Sequence, residues 1–246
     1  KVIIRLLRQY YQTMIHKEIQ TNFSRTIHFA VWGKEETKEL EGISKEELTP
    51  AIRNFVAKKL NTPSKKVFLL EQVHGDTFYD TKNLSTLSAE GDALYTTQRN
   101  EVLIVKTADC MPLFFWSEIQ QLIGVIHSGW KGTHLGISEK LLHHLQTQGY
   151  SPQSIHAYLG PCARKQNYEV GNDLFELFKE YSPEAISPKD NQKYLLGIDI
   201  VLRQRLIDNN LPIQFIDSDI CTMDDRNYHS HRCGDKGRNL NLIWMS

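Results

Sequence analysis

Residues 102–132 read VLIVKTADCMPLFFWSEIQQLIGVIHSGWKG. The runs Val102 to Lys106 and Leu122 to His127 are short, apolar and rich in β-branched residues, as strands buried in a sheet are. Upstream, Lys66 to Leu70 has the same character. Phe114, Phe115 and Trp116 follow Pro112 in an apolar stretch and are expected to pack in the core. Helical spacing flanks this block. It occurs in Lys45 to Leu60, interrupted by Pro50, and in Gly136 to Gln148, where Ser138 can cap and Gly149 stops the helix. It recurs in Asn172 to Tyr181, capped by Asn172 or Asp173, and in Ile198 to Asn209, which ends before Pro212. The mixture predicts an α/β (α+β) fold class, with sheet layers covered by helices; topology does not follow from it.

The length of 246 residues, with 40% hydrophobic and 24% charged content, suits one large domain. No repeat or Gly/Pro-rich linker divides it. We read residues 1–20 as an N-terminal amphipathic segment and 21–246 as the domain. In the first segment Ile3, Leu7, Tyr10 and Met14 recur at helical spacing, while Arg5 and Arg8 interrupt the apolar run that a secretory signal needs. An amphipathic helix is therefore expected there rather than a targeting peptide. The 29 basic and 29 acidic side chains cancel, which removes the field that would draw the chain to nucleic acid or to an anionic membrane. Apolar runs are far shorter than the ~20 residues that span a bilayer. Four cysteines, at 110, 162, 221 and 233, are too few and too scattered for a disulfide framework, so reduced thiols and a cytoplasmic location are expected.

Three patterns place a metal-capable side chain where an apolar strand gives way to Gly or Pro. They are Gln72-Val73-His74-Gly75, Thr107-Ala108-Asp109-Cys110-Met111-Pro112 and His127-Ser128-Gly129-Trp130-Lys131-Gly132. Strand ends followed by tight turns can converge on one open cleft, because the strand fixes each Cα and the turn leaves access. Imidazole and thiolate together suit zinc or copper and disfavour magnesium and calcium. Two His and one Cys make three ligands, the usual protein count for a catalytic zinc with a fourth position open. The competing reading is two hydrogen-bonded core histidines and a buried thiol.

Together with Glu90-Gly91-Asp92-Ala93-Leu94-Tyr95-Thr96, Gly160-Pro161-Cys162 followed by Tyr168-Glu169-Val170-Gly171, and Cys221-Thr222 with a downstream His231-Arg232 and Gly237-Arg238, these patterns occur in one order from Gln72 to Arg238. In that order they resemble the laccase-domain, or polyphenol-oxidase, family of YfiH- and YlmD-like proteins. The resemblance implies a single-domain layered α/β/β/α sandwich and makes His74, Cys110 and His127 the metal ligands. It further implies zinc-dependent purine nucleoside phosphorolysis together with adenosine deamination, acting on a small nucleoside and phosphate; copper is a possible occupant. Cys162 and Cys221 belong to family motifs without being ligands and are expected to be structural. Two departures stand out. The family's N-terminal pattern is little preserved around Ile27-His28-Phe29-Ala30-Val31-Trp32-Gly33, and Lys131 and His229-Ser230-His231-Arg232 replace arginine-bearing patterns.

Deamination needs a proton shuttle, for which Asp109 beside Cys110 and Asp92 are the candidates. Asp109 could equally accept a hydrogen bond from a ligand histidine, and Asp92 after Gly91 could be a turn residue. Phosphorolysis needs cations around a bound phosphate, for which Lys131, Arg232 and Arg238 are candidates, with Gln72 and Trp130 as further substrate contacts. Lysine at 131 exchanges a bidentate fork for a point charge, so weaker phosphorolysis is expected than with arginine. The alternatives are a copper-dependent polyphenol oxidase, a metal-free hydrolase with Cys110 as nucleophile, and a zinc-stabilised interaction protein.

Overall fold

Along the strand Thr26–Trp32, Ile27, Phe29 and Val31 enter one apolar cluster while Ala30 and Trp32 enter another, and that alternation repeats through the chain to set up the layers. The computed structural model describes residues 4–5, 15–20, 25–84, 89–211 and 213–246. A first six-stranded sheet runs Ile4–Arg5, Ile15–Gln20, Thr26–Trp32, Asn239–Met245, Val102–Thr107, Val67–Leu69. The second runs Gln214–Asp217, His156–Leu159, Met111–Ser117, Leu122–Ser128, Ala93–Thr96, Phe78–Asp80. A small third sheet joins Glu169–Val170, Tyr194–Leu196 and Ile186–Pro188.

Three apolar clusters lie between four layers. Ile52, Phe55 and Val56 of the helix Lys45–Lys59 pack on Val102, Ile104, Leu240 and Leu242 of the first sheet. The opposite faces of those strands, with Leu103, Val105 and Ile243, meet Phe114, Trp116, Ile123 and Val125 of the second sheet. The outer face of the second sheet, with Leu113, Phe115 and Ile126, is covered by Leu141, Leu145, Val201 and Leu202 of the helices Ile137–Thr147 and Ile198–Asp208. This is the α/β/β/α sandwich. Within it Gly124 lies beneath the Phe115 ring, where a Cβ would come within 2.0 Å of the ring, so the close approach requires glycine.

The expected strands and helices are present with small shifts at their ends, and the apolar stretch around Phe114 is itself the strand Met111–Ser117. Ser138 does not cap. A short helix, Trp130–Leu135, precedes it, and the boundary falls at Gly136, whose φ of +78° favours glycine. Gly171, rather than Asn172 or Asp173, takes the cap position of Asn172–Phe178. The N-terminal helix is a correction. Ile4–Arg5 and Ile15–Gln20 are strands, and Ile3, Leu7, Tyr10 and Met14, which carried the helical spacing, lie outside the described residues. Ile15–Gln20 pairs antiparallel with Thr26–Trp32 and buries Ile19 between the sheets, so ladder bonds and burial place this stretch in the sheet.

Candidate metal centre

The first sheet gives up its edge strand Val67–Leu69 just before His74, and the crossover from Val102–Thr107 to Met111–Ser117 carries Cys110 between the two sheets. His127 is the penultimate residue of Leu122–Ser128 in the second sheet. Three separate strand ends therefore deliver the three side chains to one rim of the sandwich. One donor atom from each lies within 4.8 Å of the others, and the His74 and His127 rings meet edge to face with centroids 4.8 Å apart. His74 is exposed and His127 buried, so the group opens to solvent on one side only.

One fully buried carboxylate organises two of the three. Asp92 Oδ1 lies 2.7 Å from His127 Nδ1 and accepts from the His74 amide at 3.1 Å, while Oδ2 accepts from the Gly75 and Val73 amides at 2.7 and 3.3 Å. A carboxylate is an acceptor, so Nδ1 of His127 carries a proton and Nε2 is the nitrogen left for an ion. Burial opposes the Asp92 charge, but the hydrogen bonds from His127, Gly75 and His74 outweigh it and hold the carboxyl below its ordinary value. The same grip keeps His74 at φ +58°, a left-handed conformation that costs a non-glycine residue about 1–3 kcal/mol unless its surroundings impose it.

Burial likewise pushes the Cys110 thiol up, yet hydrogen bonds with His127 and His74 prevail and bring it down to about 6. In His127 burial disfavours the charged ring, but Asp92 and Cys110 outweigh it and raise the ring to about 9. Gly129 closes the cradle: a Cβ there would lie 2.9 Å from Cys110 Sγ and 3.4 Å from His74 Cδ2. An imidazole whose Nε2 can bind once its second proton is displaced, a thiol drawn toward thiolate and a wall that tolerates no side chain fit a zinc- or copper-class ion held by His74, Cys110 and His127.

The remaining expected residues divide. Asp92 lies in a bend, as expected, and so does Asp109, at φ +85°, whose carboxylate accepts from Thr222 Oγ1 at 2.7 Å and from the Arg232 amide at 2.8 Å. Among the described residues Asp109 shows no hydrogen bond from a ligand histidine, and each oxygen of both candidate proton shuttles accepts at least one hydrogen bond. Gln72 is committed at both ends of its amide, donating to the Lys106 carbonyl at 2.8 Å and accepting from the Lys106 amide at 2.7 Å. Trp130 packs against the core beneath the second sheet, and Lys131 beside it is exposed. Arg232 is exposed, with its guanidinium 4.8 Å from the Tyr168 ring centroid and Nη1 donating to the Glu169 carbonyl at 2.8 Å. Arg238 instead lines a cavity of about 560 Å³ with Lys34, His229 and Lys236, whose walls include none of the three ligands. Tyr168 is the residue the sequence reading passed over. It is buried, raised in pKa by burial and by the negative charge of Cys110 while Arg232 opposes, and its position in Tyr168-Glu169-Val170-Gly171 was the available signal. All four cysteines are free, and Cys162 and Cys221 are buried partners in an isolated bridge, as structural residues are.

Residues 45–246 match the family described as multi-copper polyphenol oxidoreductase laccase. A purine nucleoside phosphorylase of Corynebacterium glutamicum is 33% identical over 201 residues, covering 78% of this chain and 80% of that protein. The purine nucleoside phosphorylase YfiH of Escherichia coli is 32% identical over 190 residues, covering 75% and 76%. The crystal structure of YlmD from Geobacillus stearothermophilus superposes with a TM-score of 0.79 at 21% identity over 97% of this chain and 98% of that one, a likeness of fold.

Proposed function

The chain belongs to the multi-copper polyphenol oxidoreductase laccase family, and on that premise we propose that it is a zinc-dependent purine nucleoside phosphorylase that also deaminates adenosine. The observation that carries this reading is the convergence of His74, Cys110 and His127 within 4.8 Å on an open rim. The names of the relatives in Corynebacterium glutamicum and Escherichia coli support the substrate class.

His74, Cys110 and His127 would hold the ion, and Asp92 keeps His127 in the tautomer that presents Nε2. A bound zinc supplies Lewis acidity that lowers the pKa of water from 15.7 to roughly 7. Arg232 is the cation best placed to receive phosphate. Asp109, adjacent to Cys110, fixes its backbone, and stacking on Tyr168 steers the guanidinium while leaving N–H donors exposed. Exposed Lys131, one residue beyond Trp130, adds a second positive charge. These groups orient phosphate toward the ribose C1′ and neutralise its charge as the bond to the purine breaks. Asp92 and Asp109 serve as positioning residues in this scheme, and the protons taken up by the departing purine and by ammonia come from solvent, which reaches the open rim at exposed His74.

Copper is the competing occupant, since it outranks zinc at nitrogen and sulfur donors. Metal analysis of the purified chain, with a nucleoside panel run with and without phosphate, tests the reading. Phosphate-dependent base release and ammonia from adenosine with zinc at the Cys110 site are expected. Phenolic dye oxidation with copper, and no base release, would overturn it.

A further inference from the structure

His16 and Glu18 lie two residues apart on Ile15–Gln20, and the cross-strand partner of Glu18 on Thr26–Trp32 is His28. Alternation along paired strands puts the three side chains on one face of the first sheet, at adjacent positions. The same face carries Trp244, which pairs with His28 from the other side. One donor atom from each of His16, Glu18 and His28 lies within 4.8 Å of the others. Trp244 stacks on both imidazoles, with centroids 4.9 Å from His28 at 6° and 5.8 Å from His16 at 29°, which sets the ring planes.

The nitrogens are also sorted. His28 Nε2 lies 3.0 Å from the Ser246 hydroxyl, leaving Nδ1 to face Glu18 Oε1 at 3.4 Å. That Nδ1, at ion-pair distance from the carboxylate, and the Nε2 of His16 are both buried, and Nε2 of His16 has no hydrogen-bond partner among the described residues. Buried polar atoms are nearly always satisfied, so an orphaned His16 nitrogen in a group with a second imidazole and a carboxylate points to something that fills the space between the three side chains. A cation does so, because it accepts both lone pairs and meets the negative charge.

We propose that His16, Glu18 and His28 form a second metal site, for a divalent transition ion of the zinc, cobalt or nickel class. Two imidazoles with one carboxylate suit those ions, whereas magnesium and calcium take oxygen donors. Its position gives it a role. The ion bridges Ile15–Gln20 to Thr26–Trp32 and so staples two neighbouring strands of the first sheet, independently of the chemistry at Cys110. All three residues lie outside the span 45–246 that matches the family.

Equilibrium dialysis of the whole chain against Co²⁺ tests the site, because only the Cys110 centre gives a thiolate-to-cobalt charge-transfer band. Two ions per chain are expected for the wild type. One ion without that band is expected for Cys110→Ala, and one ion with the full band for His16→Ala/His28→Ala. Glu18→Gln keeps the side-chain shape and is expected to weaken the second ion at least tenfold without changing the band. A wild-type stoichiometry of one with the full band, or two ions retained by the double variant, overturns the proposal. Should the double variant fail to fold, unchanged Co²⁺ affinity at the second site in Glu18→Gln overturns it equally.

Discussion

Asp92 Oδ1 lies 2.7 Å from Nδ1 of His127, inside the protein and away from solvent, so the metal-facing nitrogen of a buried ligand is set by a carboxylate from a neighbouring strand. The same carboxylate holds the loop that presents His74. Orientation of two ligands thus depends on one side chain, and the experiments below separate orientation from donation.

Asp92→Asn places an amide NH₂ opposite the Val73 or Gly75 amide, where a carboxylate oxygen had accepted. Zinc affinity is expected to fall about 10–100-fold, as when other partners of ligand histidines are lost. Competition with a chromophoric chelator measures it, and affinity equal to wild type would remove Asp92 from the role assigned here. Thermal unfolding of the metal-free chain is expected to show a loss of about 1–3 kcal/mol, since buried donors are left unpaired.

Gly129→Ala introduces a Cβ 2.9 Å from Cys110 Sγ. The backbone at Gly129 has φ −81°, which any residue adopts, so the effect falls on the cradle and not on the chain path. Lower metal content with an unchanged circular dichroism spectrum is expected. Full metal content in the alanine variant would show that the thiol has room to move.

The pH dependence of metal binding follows from the two opposed shifts. A depressed thiol is already ionised above about 6, while a raised His127 keeps its proton until about 9. The ion needs thiolate and neutral imidazole, so between those values binding must displace the His127 proton, and apparent affinity climbs as pH rises. Below about 6 the thiol proton must be displaced as well, and the dependence steepens. Calorimetry in buffers of different ionisation enthalpy counts the protons released; a flat affinity between the two values contradicts this scheme.

Lys131→Arg restores a bidentate fork at an exposed position beside the metal-bearing rim. A several-fold fall in the KM for phosphate during inosine cleavage is expected, on the order of 1 kcal/mol of binding. No gain would mean that Lys131 does not contact phosphate.

Asp109→Asn tolerates the positive φ at this position and places an amide NH₂ where a carboxylate oxygen had accepted from the Thr222 hydroxyl or the Arg232 amide. Phosphorolysis is expected to lose phosphate affinity with metal content preserved, and phosphate-independent deamination to change less. Equal loss of both activities would assign Asp109 to the chemistry rather than to the placement of Arg232.

Much of this was legible in the linear chain. His74, Cys110 and His127 each stand where an apolar run meets Gly or Pro, and runs of that kind became the strands that carry them or lead to them. The role of Asp92 was not, because Gly91-Asp92 reads locally as a turn and its partners lie 18 and 35 residues away. Gln72 was misleading for the same reason: a polar residue in a site motif turned out to bind the backbone of Lys106, 34 residues on.

By itself the sequence determined which donor chemistry is available and which segments alternate with period two, since both are properties of side chains and their immediate neighbours. Only the tertiary structure decided which carboxylate orients His127, why Gly129 admits no side chain, and that residues 15–20 form a strand rather than a helix. Those outcomes depend on hydrogen bonds and contacts between segments far apart in the chain, and a residue's own spacing carries no record of them.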